Sequence, residues 1–129
     1  MTAPARMTAA EYRARKAPMK GRHKRGDLVC DLLASQLSGM GLTVVRELPF
    51  AKELGRRWRF DLAIEERKIA VEVDGGVWNG GHSRGGAIDA EHDKYNTAVL
   101  LGWRVLRATH KAVKDGSAST WVWRVVVGR

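Results

Sequence analysis

Two short runs of alternating residues constrain this chain more than any other feature. In Arg57–Ile64, apolar Trp58, Phe60, Leu62 and Ile64 alternate with Arg57, Arg59, Asp61 and Ala63. In Ile69–Asp74, apolar Ile69, Val71 and Val73 alternate with Ala70, Glu72 and Asp74. Period two is the pattern of half-buried strands, and the polar stretch Glu65–Lys68 joins them as a hairpin. With Ile64 opposite Ile69, Leu62 meets Val71 and Phe60 meets Val73 on one face. On the other face Asp61 lands opposite Glu72, and Arg59 opposite Asp74. A slip of one residue would set apolar against charged side chains on both faces. Opposed side chains lie roughly 5 Å apart, so this register brings carboxylates together.

The flanking segments complete an α/β order. Asp27 opens a helix running to about Met40, with an apolar stripe of Leu28, Val29, Leu32, Leu33, Leu37 and Met40 and a stop at Gly39 and Gly41. Thr43–Phe50 reads as a strand limited by Pro49. After the hairpin, Gly75–Gly86 holds six glycines among Asn79, His82, Ser83 and Arg84. A helix follows from about Ile88 to Leu101, with Tyr95, Ala98 and Val99 inward. Gly102 ends it, and Trp103–Ala108 returns as a strand, parallel to an earlier one because of the long crossover. In Ser117–Gly128 a helix capped by Ser117 or Ser119 competes with a strand alternating Trp121, Trp123, Val125 and Val127. The order αβββαβ predicts a mixed sheet flanked by helices.

Charge separates an arm from a body. The chain of 129 residues carries a net +9, and residues 1–26 hold eight Lys/Arg against the single acid Glu11. The remainder has fifteen basic and thirteen acidic residues. Residues 1–25 thus read as a basic flexible arm, and 26–129 as the folded domain. Lysines and arginines that neutralise phosphates release counterions, so DNA is the expected partner, with Lys20, Arg22, Lys24 and Arg25 among its contacts. With 44% hydrophobic residues a real core is affordable in size, and no run approaches the ~20 apolar residues of a membrane span. The lone Cys30 allows neither a disulfide framework nor a cysteine-built zinc site. The histidines do not cluster at ligand spacing. With no apolar leader, a reducing, cytoplasmic location is expected.

Two opposed carboxylates repel, and Asp74, two residues along on the same face, adds to the repulsion. A hard divalent cation removes it, since Mg²⁺ or Mn²⁺ prefers carboxylate oxygens. An ion held there polarises a phosphodiester and lowers the pKa of a bound water. The competing reading is a solvated polar face whose acids pair with Arg57, Arg59 or Lys68.

The run Phe60-Asp61-Leu62-Ala63-Ile64, then Ile69-Ala70-Val71-Glu72-Val73-Asp74-Gly75-Gly76, then Leu101-Gly102-Trp103-Arg104-Val105-Leu106-Arg107 resembles the PD-(D/E)xK nuclease superfamily. Within it, the run looks closest to the very-short-patch mismatch-repair endonucleases and their phage-borne relatives. The resemblance covers about residues 26–110. It implies a restriction-endonuclease-like core and a Mg²⁺- or Mn²⁺-dependent endonuclease, structure-selective or nicking. Asp61 takes the first acid of the motif and Glu72 the second, with Asp74 as third metal ligand. The motif's lysine position is Asp74 here, which leaves the water-activating group open. Lys94 on the next helix is one candidate, against a plain surface lysine paired with Glu91. His82 is the other, against a loop histidine facing phosphate or solvent.

Arg57, Arg59 and Arg84 are expected to hold the DNA backbone. Trp78 either stacks on a base or pins its loop. Asp27 and Asp31 could reach the site from the first helix, although capping explains Asp27 equally well. Cutting both strands usually needs two active sites, so a homodimer is one expectation. The rivals are a nuclease fold kept only for DNA binding and an assembly factor whose arm binds an acidic protein.

Overall fold

The computed structural model describes residues 25–74 and 86–128. Arm residues Lys20, Arg22 and Lys24 and loop residues Trp78, His82 and Arg84 therefore lie outside the described residues, as does the side chain of Arg25.

Helix α1 spans Arg25–Gly39. Val29, Cys30, Leu33, Ala34 and Leu37 are buried, whereas Leu28, Leu32 and Met40 are exposed. The apolar stripe is thus rotated from the one expected: its axis follows Val29, Leu33 and Leu37 at four-residue spacing, with Cys30 and Ala34 beside it. Burial also pushes the Cys30 thiol up to about 12, so it packs as a small apolar group. The helix ends in a Schellman turn. Gly41 takes φ +87°, its N–H bonds the Ser38 carbonyl at 2.9 Å, and the Leu42 N–H bonds the Leu37 carbonyl at 3.2 Å.

Four strands follow: β1 Val45–Pro49, β2 Arg59–Ile64, β3 Ile69–Asp74 and β4 Arg104–Thr109. Their order in the sheet is the chain order. Strands β1–β2 and β2–β3 are antiparallel, and β3–β4 is parallel, as expected for β4. Helix α2, Gly86–Leu100, forms the crossover between β3 and β4. Short α3, His110–Lys114, and α4, Ser117–Val127, close the chain. The ambiguous tail is therefore helical. Neither serine caps it. Gly116 is the N-cap, and the Asp115 carboxylate accepts the Ser117 N–H at 2.8 Å.

The sheet separates two cores. One face carries Leu62, Ile64, Ile69, Val71 and Ala108 against α1, α3 and α4. The other carries Ala63 and Ala70 against Ala98 of α2 and Trp103. Val99, expected inward, is exposed, because Ala98 and the half-buried Tyr95 take the sheet-facing positions.

The hairpin register holds at Leu62–Val71 and Ile64–Ile69. It fails at Phe60. That ring does not join Leu62 and Val73 but packs in the second core, 3.9 Å between centroids from Phe50 and 4.9 Å from Trp103. Glu47, between Arg46 and Leu48 and so level with Asp61, takes φ +54°, a left-handed conformation that a side chain resists. Leu48 follows Phe60 into the second core. Both strands thus lose their alternation at the same level of the sheet.

Candidate active site

The break falls at Asp61 and determines what surrounds it. Its N–H donates to Glu72 Oε2 at 3.2 Å. Its carbonyl accepts from Arg46 Nε at 3.0 Å. Its own carboxylate accepts the Val73 N–H at 2.8 Å. Glu72 is thereby anchored on the Asp61 N–H and Asp61 on the N–H of Val73, the residue after Glu72, with the two carboxyls close enough to hydrogen-bond when one is protonated. The expected meeting of Asp61 with Glu72 is present.

Glu72 is the buried member of the pair, at 5% exposure. Burial first, and then the neighbouring Asp61, push its carboxyl from 4.5 up to about 7, against the pull of Lys94. Lys94, from the third turn of α2, places its ammonium on Glu72 Oε1. Of the two expectations for Lys94, the Glu91 pair does not form. Glu91 instead accepts from Arg107 at 3.3 Å.

Asp74 lies apart from this group. It pairs with Arg107 at 2.9 Å, not with Arg59, which is exposed and sits level with Pro49 of β1. The guanidinium of Arg107 also lies 4.9 Å from the centre of the Tyr95 ring. Among the described residues, no three His, Cys, Asp or Glu side chains converge as a ready-made cation site. The structure therefore brings Asp61, Glu72 and Lys94 together and leaves Asp74 in a neighbouring ion-pair network.

The alternative in which the acids pair with Arg57, Arg59 or Lys68 does not form. Lys68 instead donates to the Leu101 carbonyl at 2.8 Å, at the end of α2. Asp31 pairs with Arg46 at 2.6 Å and Asp27 lies 3.8 Å from it. The first helix thus reaches the site indirectly, through the arginine that holds the Asp61 carbonyl. Arg57 and Arg59 are exposed on the segment leading into Asp61. So is Arg56, which lies 4.8 Å from the Trp58 ring and pairs with Asp93 at 3.1 Å.

Sequence reasoning missed Arg46, Arg107 and Tyr95. Arg107 stands level with Glu72 only because β4 runs parallel to β3 in one register. Nothing local in the sequence carries that register. Arg46 had only a weak signal, as a charged residue beside Glu47 in a strand segment whose other members, Val44, Val45 and Leu48, are apolar.

The catalytic domain of the homing endonuclease I-Bth0305I is similar in structure, with a TM-score of 0.58 at 17% identity, over 78% of this chain and 94% of that chain. No protein-family model matches the sequence, and no curated protein matches it. The likeness is one of fold: the four-stranded mixed sheet flanked by helices is an α/β architecture that this chain shares with the catalytic domain of a homing endonuclease.

Proposed function

We propose that this protein is a divalent-cation-dependent DNA endonuclease of the PD-(D/E)xK type, related to the very-short-patch-repair branch. The observation that carries the reading is the junction of Asp61, Glu72 and Lys94 at the sheet break, in a fold known from a homing endonuclease catalytic domain.

The donor set fits Mg²⁺ or Mn²⁺. Two carboxylates meet with one ammonium, that of Lys94, on Glu72, and burial with Asp61 raises the Glu72 carboxyl by more than Lys94 lowers it. Mg²⁺ is commonly held by one or two carboxylates while keeping several waters, so Asp61 and Glu72 suffice as protein ligands. Asp74 then supports the site from outside, through Arg107. A cation bound there supplies a Lewis acid for a phosphoryl oxygen and acidifies water.

The chain's own groups do the rest. The Val73 N–H orients Asp61, and the Asp61 N–H orients Glu72. Arg46 locks the Asp61 backbone. Lys94 takes the task of the motif lysine from a different element, placing positive charge where the transition state accumulates negative charge. Arg57 and Arg59 hold the DNA backbone beside Asp61. Arg84, Trp78 and His82 of the glycine loop, with Lys20, Arg22, Lys24 and Arg25 of the arm, are assigned to DNA contact, His82 being the second group suited to proton transfer.

The test is a panel of labelled DNAs (duplex, mismatch, branched junction, single strand) incubated with Mg²⁺ or Mn²⁺. Cleavage of at least one, blocked by EDTA and lost in Asp61→Ala, is the expected result. The presence of Asp74 where the motif has lysine favours a second reading, a DNA-binding module without activity. DNA retention with no cleavage of any substrate under either metal would select it.

A further inference from the structure

A groove runs along β4 on the face opposite Glu72, lined by Arg104, Leu106, Trp121, Arg124, Val125 and Gly128. Strand β4 is the edge of the sheet, and Leu106 packs toward the core shared with α1. Trp121, Arg124, Val125 and Gly128 recur at helical spacing along one side of α4. The buried face of α4 is made by Ala118, Ser119 and Val122; Val125 packs at its edge, and Trp121 and Arg124 lie outside it. Trp121 is 42% exposed although it is among the largest apolar side chains in the molecule. An indole open to solvent on a groove wall is a surface that a flat ring can cover.

Charge decides what covers it. Both charged residues of the lining, Arg104 and Arg124, are basic, and among the described residues no acid lines the groove. A second copy meeting this groove with its own, by two-fold symmetry, would bring guanidinium to guanidinium there. A polyanion with flat rings meets both features, since bases stack on aromatic side chains and phosphates pair with arginine.

We propose that the β4–α4 groove is a second nucleic-acid contact, where a base of an unpaired DNA strand stacks on Trp121 while Arg104 and Arg124 hold its phosphates. The proposal rests on the function proposed above only for its choice of DNA as ligand. By the parallel register, Arg104 stands level with Ile69, three residues from Glu72, or about 10 Å along the strand. A strand leaving the Asp61–Glu72 site and passing round the β4 edge would therefore reach the groove.

The full-length protein is titrated, in EDTA, with a short labelled oligothymidylate at salt high enough to mute the basic arm, and binding is read by fluorescence anisotropy. Trp121→Ala should weaken binding roughly thirtyfold, the middle of the range for one lost base–aromatic stack. Trp121→Phe, which keeps a π-face, should retain most of the affinity. Arg124→Gln should lower the salt slope by about 0.7, the single-strand value for one phosphate contact. Thermal melts check that each variant is folded. Parent-like affinity in Trp121→Ala together with a parent-like slope in Arg124→Gln overturns the proposal. So does sedimentation showing that Trp121→Ala dissociates a dimer, which would assign the groove to a second copy. Because no metal is present, failure here is separate from failure of the nuclease reading, which appears as absence of cleavage in the Mg²⁺ and Mn²⁺ panel.

Discussion

Glu72 and Lys94 carry opposite obligations. Glu72 is buried and raised to about 7, first by desolvation and then by Asp61, so the metal-free native state binds its proton more tightly than the unfolded chain does. Stability from this group is complete below pH 4.5 and is lost as pH rises through about 7. The shift amounts to on the order of 3 kcal/mol, at 1.36 kcal/mol per unit. Glu72→Gln, neutral at every pH, should flatten the fall in denaturation midpoint between pH 5 and pH 8 that the parent shows in EDTA. An unchanged slope would mean that Glu72 ionises as an ordinary carboxyl. Lys94 is tested by activity instead. Lys94→Ala should reduce cleavage by roughly 10²-fold or more, the usual scale for a positioned electrostatic or proton-transfer group. It should not weaken cation binding, since it removes a positive charge from the site. Metal titrations of the variant separate the two effects. Parent-rate cleavage in Lys94→Ala would return the water-activating role to His82 or to the metal site alone.

Helix α2 carries Lys94, and its ends show how elements position a site. Gly102 closes it at φ +89°, with the Gly102 N–H on the Val99 carbonyl and the Trp103 N–H on the Ala98 carbonyl, both at 2.9 Å. This turn drives Trp103 into the core beside Ala98 and Phe60. A Cβ at Gly102 meets only ordinary contacts, the nearest being the Lys68 side chain at 3.7 Å. The cost of Gly102→Ala is therefore the left-handed backbone, about 1–2 kcal/mol, read as a lower melting temperature with cleavage by the folded fraction retained. A loss of activity beyond the loss of stability would show that the turn also sets the reach of Lys94. Much of this was legible in the residues. Period two with apolar pairs specified Leu62–Val71 and Ile64–Ile69, and the crossover length specified a parallel β4. Phe60 is not legible, because its change of face comes with a left-handed residue, Glu47, in another strand. The buried stripe of α1 is not legible, because Leu28 and Leu32 are as apolar as the residues that are buried. The tail's alternation of tryptophan and valine fits a strand or a helix equally, and packing of Ala118 and Val122 under α4 decides it. Arg107 and Arg46 act across strands, where only the assembled register shows them.

At the scale of the whole molecule, charge and fold are unevenly distributed, and the two can be tested apart. The sheet and its two cores are built from residues 25–74 and 86–128, while residues 1–24 contain seven of the chain's 23 Lys/Arg and only one acid. Affinity for a polyanion falls with salt at about 0.9 per neutralised phosphate on duplex DNA. If every arm charge finds a phosphate, deletion of residues 1–24 should make the slope of log K against log salt shallower by up to about 6, and affinity at low salt should fall steeply. Stability should stay near that of the parent, because among the described residues the two cores close on each other without the arm. Cleavage at saturating DNA and Mg²⁺ should also persist, since Asp61, Glu72 and Lys94 remain. Each outcome separates a role. Unchanged affinity and slope would remove the arm from DNA binding and favour an acidic protein as its partner. Weakened binding with full cleavage at saturation would make the arm a tether that raises the local concentration of DNA. Parent-like binding with slower cleavage would place the arm at the site itself, acting on the scissile strand beside Arg57 and Arg59.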